Sequence, residues 1–391
     1  MATIFNFRMM EPAPLEHLDV LRAKSGVEVD REIYSFKDKG GRDIGLRFDL
    51  TVGMTRYVCT RRELRPPIKL ASLSGAWRYD EPQHARYRWF RQWDLEIFGP
   101  PSIGADAEVI EATHRLFKSL GIGFTVQVGD REAVQSYISQ VLGVKDAERA
   151  AEMMRALDKV QKKTAGELKA EYVAKGFSAE EVEKLLGFGA IRGDPGKVLS
   201  RLGEEGVQAP ALVALADNLS GRGIQTEFNL SIVRGLDYYT GVVFEVLDTS
   251  HPDLGSLAGG GRYDLLPGSF GRTDLSATGA AGGMERIALS LSDGSEGRSV
   301  PVYVAVTGKG GQKAGHRVLN ELRDKGVPAE SALSDRALAK QLEDARRMGV
   351  KWVVILGDKE ELSGMITLRN MVDRTEEVVP LSTALRRIKQ A

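Results

Sequence analysis

Residues 77–92 read WRYDEPQHARYRWFRQ, with apolar and aromatic side chains on both sides of a polar middle. This pattern predicts two antiparallel strands joined by a loop. Arg78 and Asp80 end the first strand, and Arg86 and Phe90 lie in the segment that returns. Guanidinium groups bind phosphate oxygens bidentately and an aromatic ring stacks on a base, so the hairpin is suited to a nucleotide. Taken alone, the segment also fits a charged hairpin on a solvated surface.

The sequence around this hairpin predicts a larger antiparallel sheet. Segments that alternate apolar and polar residues favour strands, which we expect at 34–36, 43–50, 68–77, 89–98, 124–129, 224–232, 242–247 and 277–284. Helical spacing predicts helices at 50–61 and 106–120 and another from Glu285. The expected fold class is therefore α+β, with the antiparallel sheet as its base.

The pattern changes three times along the chain. Residues 147–160, 165–175 and 179–186 carry apolar residues three and four apart, and Ser178 with Glu181 forms a capping box. A Gly- and Ser-rich loop at 292–298 precedes alternating strands (300–306, 352–356, 365–369, 377–381) and helices (313–325, 335–348). The predicted division is a sheet domain in two parts (1–123 and 223–292), a mostly helical insertion (124–222) and a C-terminal α/β domain (299–391).

The composition excludes several functional classes. Lys plus Arg and Asp plus Glu both number 54, so any nucleic-acid contact must be regional. No apolar run approaches the roughly 20 residues of a membrane span. The single Cys59 and the absence of a secretory leader favour the cytoplasm. The five His are scattered without metal-ligand spacing, so we expect no metal held by protein ligands alone.

Further segments place polar residues where strands meet helices or turns. Residues 46–51 (LRFDLT) put Asp49 and Thr51 at the start of a helix, where Asp49 also fits a simple N-cap. Residues 233–241 (VRGLDYYTG) interrupt two strands with an Arg and paired tyrosines, which also fit core packing. The small residues of 278–286 let a ligand or another backbone approach closely.

Together these segments resemble the class II aminoacyl-tRNA synthetases and, within them, the histidyl-tRNA synthetase family. Residues 77–92 resemble motif 2 and residues 278–287 resemble motif 3. Residues 234–241 resemble the histidine-specific signature, and residues 46–51 are similar to the family's amino-acid loop. The resemblance extends over nearly the whole chain, because 338–342 and 354–357 resemble the family's anticodon-binding domain.

The resemblance implies an ATP site. Arg78 would hold the α-phosphate, Phe90 would stack on adenine, and Arg286 would cover the other face and reach the γ-phosphate. Asp80 and Arg86 of motif 2 would complete this site. Mg²⁺ would accompany ATP and neutralise its β- and γ-oxygens.

The resemblance also implies a histidine site. Asp49, Thr51 and Gln92 would bind the α-amino group, while Glu96 with Tyr239 and Tyr238 would recognise the imidazole. Arg234 would stabilise the charge that develops as the carboxylate attacks phosphorus, together with Arg78. Such polar partners reject amino acids that lack them by roughly 10⁴ or more, so no editing domain is required.

The implied reaction is ATP-dependent activation of histidine to histidyl-adenylate, followed by transfer to the 3' end of tRNA(His). Motif 1 implies a homodimer, although only ten residues precede Glu11, where the family has a longer entry segment. The alternative within the family is a silent paralogue that regulates ATP phosphoribosyltransferase. That class lacks both the anticodon-binding domain and the signature Arg. This chain has both features. An RNA-binding or sensor module on the same fold is the other alternative.

Overall fold

The computed structural model of the chain describes residues 1–23, 31–80, 87–160, 163–233, 238–291 and 302–390. The chain divides into two compact units, residues 1–293 and residues 294–391. Within the described ranges, no helix has both the length and the apolar character needed to cross a membrane.

The first unit contains a large sheet and a small one. Its strands are β1 (Arg8–Met9), β2 (Leu15–His17), β3 (Ser35–Lys37), β4 (Asp43–Leu46), β5 (Ile68–Trp77), β6 (Trp89–Gly99), β7 (Phe124–Asp130), β8 (Arg192–Gly193), β9 (Glu227–Asn229), β10 (Val242–Asp248), β11 (Ser256–Arg262) and β12 (Ser276–Gly283). Over the described residues the large sheet has the order β1-β5-β6-β12-β11-β10-β7-β9-β8, and β2, β4 and β3 form the small sheet. The strands from β5 to β7 in this order are all antiparallel neighbours. The expected antiparallel α+β architecture is therefore confirmed.

The helices of the first unit surround this sheet. They are α1 (Leu18–Leu21), α2 (Thr51–Thr60), α3 (Ile103–Ser119), α4 (Arg131–Ser136), α5 (Ala147–Asp158), α6 (Ala165–Ala174), α7 (Ala179–Gly189), α8 (Pro195–Glu204), α9 (Pro210–Gly221), α10 (Leu265–Ser269) and α11 (Met284–Ser290). A π-helical turn, Tyr137–Val141, continues α4, and a 3₁₀ turn, Pro252–Leu254, follows β10. The capping box of Ser178 and Glu181 is confirmed at the start of α7, and Thr164 with Glu167 forms a second one before α6.

The helical region shares its core with the sheet. Strand β7 opens the region predicted as an insertion, but it pairs with β10 and β9 in the large sheet. Leu215 of α9 and Phe228 of β9 belong to the same buried cluster as Trp93 and Leu95 of β6. Burial of each such side chain contributes about 1.5–3 kcal/mol. The domain boundaries at 124, 223 and 299 stay a prediction.

The second unit is a small α/β sheet structure. Its strands are β13 (Val302–Val306), β14 (Ala329–Ser331), β15 (Trp352–Leu356), β16 (Met365–Asn370) and β17 (Glu376–Pro380), and its helices are α12 (Gly308–Asp324), α13 (Leu338–Arg347), α14 (Asp358–Ser363) and α15 (Leu381–Gln390). In the described part the sheet order is β14-β13-β15-β16-β17, with β13 parallel to both of its neighbours. The sequence patterns did not predict β14, α14 or α15.

Candidate active site

Strand β6 has two different faces because successive side chains of a strand point in opposite directions. Trp93, Leu95 and Ile97 point into the main core of the first unit. Gln92, Asp94 and Glu96 alternate with them, and all three are buried on the opposite face. A row of polar side chains therefore lies under a helix and a loop rather than in water.

Helix α2 covers this row with a hydroxyl group. Thr51 is its first residue, and its hydroxyl donates to Glu96 Oε1 at 2.7 Å and lies 3.4 Å from Asp94 Oδ2. The Gln92 amide donates to Asp94 Oδ1 at 2.8 Å. The two acidic side chains are thus held in fixed positions by neutral donors, and Gln92 is held with its amide nitrogen towards Asp94.

Glu96 has a second hydroxyl partner, Tyr263, which follows strand β11 and donates to Glu96 Oε2. The ring of Tyr238 lies 5.7 Å from that of Tyr263, and the ring of Tyr239 lies 4.8 Å from that of Tyr238. All three tyrosines are buried. Ring contacts therefore link Tyr239 to Tyr238 and Tyr238 to Tyr263, and Tyr263 bonds to Glu96.

A glycine on the neighbouring strand makes room for Glu96. Gly279 of β12 is the register partner of Glu96. A Cβ atom at Gly279 would lie 1.6 Å from Glu96 Oε2, so no other residue fits without moving the carboxylate. Gly283 of the same strand, opposite Gln92, has open space in the direction of a Cβ. The position of Glu96 therefore requires a glycine at residue 279, whereas Gly283 lies beside free space.

Asp49 lies between this row and Arg78. Its Oδ1 accepts from the Val52 backbone N–H at 3.3 Å, but the N-cap position of α2 is Leu50 and not Asp49. Its Oδ2 is buried and has no hydrogen-bond partner within the described structure. A helix cap needs one carboxylate oxygen, so the second oxygen is available for a ligand.

Arg78 supplies the positive charge of this site. Its Nε donates to the Phe48 carbonyl at 3.0 Å, and its guanidinium lies 5.0 Å from the centre of the Phe90 ring. Burial raises the pKa of Asp49 and Asp94, and the Arg78 charge partly opposes both increases. The predicted ATP residues Arg78 and Phe90 are thus adjacent to the predicted histidine residue Asp49.

Burial dominates the electrostatics of the carboxylate cluster, which we define as Asp49, Asp94 and Glu96. Desolvation raises the pKa of Asp49 to about 6, although Arg78 and the Val52 N–H oppose the rise. Desolvation and repulsion from Asp49 raise the pKa of Asp94 to about 8. The pKa of Glu96 is raised well above its usual range by burial and by Asp94. Such a cluster favours a cationic ligand with hydrogen-bond donors.

Motif 3 meets motif 2 at the end of the sheet. Glu285 Oε1 accepts from the Arg91 backbone N–H at 2.9 Å, which joins α11 to β6. Arg286 Nη1 donates to the Ser256 carbonyl at 2.9 Å at the start of β11. The Asp80 carbonyl accepts from Arg88 Nε at 3.3 Å. The predicted site residues Arg86 and Arg234 lie outside the described residues.

Sequence reasoning missed Asp94 and Tyr263. Asp94 lies two residues from both Gln92 and Glu96, so the strand alternation already placed it on their face. Tyr263 follows three glycines, and this run weakens the strand pattern of β11. Its bond to Glu96 joins residues 167 positions apart, which no local pattern predicts.

The antiparallel sheet, the hairpin of β5 and β6 with Arg78 and Phe90, and the glycine-containing β12 that leads into α11 define a class II aminoacyl-tRNA synthetase. The family model "Histidyl-tRNA synthetase" matches residues 3–287, and "Anticodon binding domain" matches residues 301–391. The chain belongs to the histidyl-tRNA synthetase family.

Known proteins match over nearly the full length. The chain is 35% identical to a histidine–tRNA ligase of Thermococcus kodakarensis, over 98% of this chain and 91% of that protein. It is 34% identical to a histidine–tRNA ligase of Pyrococcus furiosus, over 99% of this chain and 92% of that protein. A crystal structure of histidyl-tRNA synthetase from Nostoc has a TM-score of 0.85 at 24% identity, covering 99% of this chain and 92% of that one, and supports the fold.

Proposed function

We infer that this chain is a histidine–tRNA ligase. It activates histidine with ATP to histidyl-adenylate and pyrophosphate, then transfers the histidyl group to the 3' end of tRNA(His) with release of AMP. The observation that carries this inference is the buried carboxylate cluster beside Arg78, in a chain of the histidyl-tRNA synthetase family. The cluster suits an amino acid that has a cationic amine and a ring with polar nitrogens.

The histidine amine binds at Asp49, Thr51 and Gln92. The α-ammonium group offers three donors, and the unpartnered Oδ2 of Asp49 is a buried acceptor for one of them. Gln92 donates its amide nitrogen to Asp94, so its carbonyl oxygen remains to accept from the ligand. A neutral group in place of the ammonium would leave these acceptors unpaired at about 1–3 kcal/mol each.

The imidazole binds at Glu96 and the tyrosines. A neutral imidazole has one donor and one acceptor nitrogen, so it requires partners of both kinds. Glu96 accepts, and the hydroxyls of Tyr238 and Tyr239 donate, while Tyr263 donates its own proton to Glu96. Side chains without such a donor and acceptor leave buried groups unsatisfied, which provides specificity without an editing step.

ATP binds along the β6–β12 side of the sheet. Arg78 holds the α-phosphate, Phe90 stacks on adenine, and Arg286 covers the nucleotide and reaches its γ-phosphate, with Asp80 and Arg86 at the motif 2 loop. Arg234 and Arg78 stabilise the negative charge that accumulates on the α-phosphate as the histidine carboxylate attacks it.

Mg²⁺ would accompany ATP and would supply positive charge beside its β- and γ-oxygens. Within the described residues, no group of three or more His, Cys, Asp or Glu side chains could hold a metal ion.

The C-terminal unit binds the anticodon region of tRNA(His), as the match to the anticodon-binding family supports. The protein acts as a homodimer. Met9 of β1 and Leu73 of β5 are exposed apolar residues at one edge of the sheet, where β1 pairs with β5, and a second subunit would cover them. Charging of tRNA places the protein in the cytoplasm.

The regulatory paralogue is not favoured by any feature of the site. A Bacillus halodurans protein described as an ATP phosphoribosyltransferase regulatory subunit/histidyl-tRNA synthetase has a TM-score of 0.73 at 22% identity, covering 91% of this chain and 90% of that one, and this likeness concerns the fold alone. The anticodon-binding match over residues 301–391 instead supports a ligase.

Histidine-dependent exchange of labelled pyrophosphate into ATP tests the first step, and charging of tRNA(His) tests the second. We expect exchange with histidine and none with glutamine or phenylalanine. Glu63→Gln changes an exposed acid that lies beyond the end of α2 and pairs with Arg61, and it serves as a control that retains exchange. A folded preparation that exchanges no pyrophosphate with any amino acid would refute the proposal.

A further inference from the structure

Arg131 holds both ends of the segment that carries Tyr238 and Tyr239. Its side-chain Nη1 donates to the Val233 carbonyl before the segment. Its backbone N–H donates to the Gly241 carbonyl after the segment, at 3.1 Å. One residue, the first of α4, therefore contacts both flanks of the segment that resembles the histidine signature.

Gly129 and Asp130, which precede Arg131, fix the junction between β7 and α4. A Cβ atom at Gly129 would lie 2.2 Å from the Ile232 carbonyl oxygen, so the chain that enters the segment lies directly against a bare glycine. Asp130 is buried, pairs in register with Val242, and accepts from the Glu132 N–H at 3.0 Å to cap α4. The backbone on both sides of the segment is thus fixed by consecutive residues of β7 and α4.

The junction between β7 and α4 also packs against the helical region. Tyr137, in the π-helical turn after α4, stacks on Phe188 of α7 with ring centres 3.9 Å apart and planes within 11°. Its hydroxyl donates to the Lys184 carbonyl at 3.3 Å. The packing of the helical region therefore helps to fix the element that begins with Arg131.

The contacts continue from the segment into the histidine site. Tyr238 packs against Tyr263, and Tyr263 donates to Glu96. We propose that Arg131 is a positioning residue: it holds the backbone at Val233 and at Gly241, so that Tyr238 and Tyr239 line the histidine site. The proposal rests on the proposed function. Arg131 contacts the carbonyl groups of the segment, so its effect passes through Tyr238 and Tyr239.

The test compares Arg131→Met, which keeps the aliphatic stem but removes the donors, with Arg131→Lys, which keeps one charged donor. We expect Arg131→Met to raise the KM for histidine by about tenfold or more, the factor that corresponds to 1.4 kcal/mol. The KM for ATP should stay within about twofold, since Arg78, Phe90 and Arg286 lie on other elements. Arg234 follows Val233 in the sequence and would act on the α-phosphate, so a loss of its position should appear in kcat. Arg131→Lys should recover part of the histidine affinity.

Arg149→Met is the matched control, because Arg149 also lies in the helical region and also points a guanidinium at a backbone carbonyl, that of Gly176, at 3.5 Å. It should leave both KM values unchanged. Equal losses of histidine and ATP affinity in both Arg131 variants, or none in either, would overturn the proposal. If Arg131→Met does not fold, the Arg131→Lys values decide the outcome. Absence of exchange in the unmodified chain would instead count against the proposed function.

Discussion

Histidine binding should release a proton from the carboxylate cluster. Asp94 is buried, and desolvation and the neighbouring Asp49 raise its pKa to about 8. At pH 7 it therefore carries roughly 0.9 of a proton. An ammonium group about 4 Å away contributes about 4 kcal/mol at an effective dielectric constant of about 20, a factor of about 10³ in the protonation equilibrium. The pKa of Asp94 then falls below neutral, and almost the whole proton leaves.

Isothermal titration calorimetry in two buffers measures this release. Phosphate and Tris differ strongly in ionisation enthalpy, so the difference between the observed binding enthalpies gives the number of protons transferred. At pH 7 we expect the unmodified protein to release roughly 0.9 of a proton or more, with any excess coming from Glu96. Asp94→Asn keeps the shape of the side chain but has no proton to lose, so release should fall by the Asp94 share.

Asp43→Asn is the control, because Asp43 is an exposed acid that pairs with Lys37 and lies on β4 of the small sheet, whereas Asp94 and Glu96 lie on β6 of the large one. It should release as many protons as the unmodified protein. Equal release from Asp94→Asn and from the unmodified protein would show that Asp94 is already ionised in the empty site. The carboxylate cluster would then not be a cation-binding site whose carboxyl groups hold protons before histidine binds.

Three further predictions concern the same cluster. Gly279→Ala should abolish histidine-dependent pyrophosphate exchange because its Cβ would lie 1.6 Å from Glu96 Oε2, whereas Gly283→Ala, with nothing within 4 Å, should keep the same histidine affinity by calorimetry. Tyr263→Phe leaves a buried oxygen of Glu96 without its donor and should lower kcat/KM for histidine by roughly 5- to 150-fold, as about 1–3 kcal/mol implies; an unchanged value would exclude Tyr263 from the site. The free energy of unfolding should fall as pH rises from about 4 to 8, because the folded cluster keeps protons that the unfolded carboxyls have lost; urea titrations of Asp94→Asn should show a weaker fall.

The sequence predicts some parts of this site well for physical reasons that are local. The two-residue period of a strand places Gln92 and Glu96 on one face of β6, and the Leu50–Thr51 boundary of α2 follows from a strand that ends where a helical period begins. The same two-residue period places Asp94 between them, so the sequence alone also predicts Asp94 on this face. The fold follows similarly, because β5, β6, β10 and β12 all have recognisable strand patterns.

Other parts depend on contacts between distant segments. Strand β11 contains Gly259, Gly260 and Gly261, which have low strand propensity, and it is a strand because β10 and β12 pair with it on either side. Tyr263 joins the site only through that pairing. Arg131 gives no local signal either, since an Arg at the start of a helix is ordinarily a surface residue and its two carbonyl partners come from residues about a hundred positions later.

The raised pKa values of the buried carboxyl groups also distinguish a ligand site from the simpler structural interpretations of the same residues. A capping Asp at a helix start is stabilising, because the N–H groups and the helix dipole favour its ionised form. Asp49 accepts a backbone N–H, yet its pKa is raised from 3.8 to about 6, which corresponds to about 3 kcal/mol against ionisation. A solvated charged hairpin would carry no such cost either. Burying Asp49, Asp94 and Glu96 together lowers the stability of the empty protein, and a bound cation with hydrogen-bond donors is what reverses that effect. The raised pKa values of the carboxylate cluster therefore favour a ligand site over a simple helix cap or a solvated hairpin.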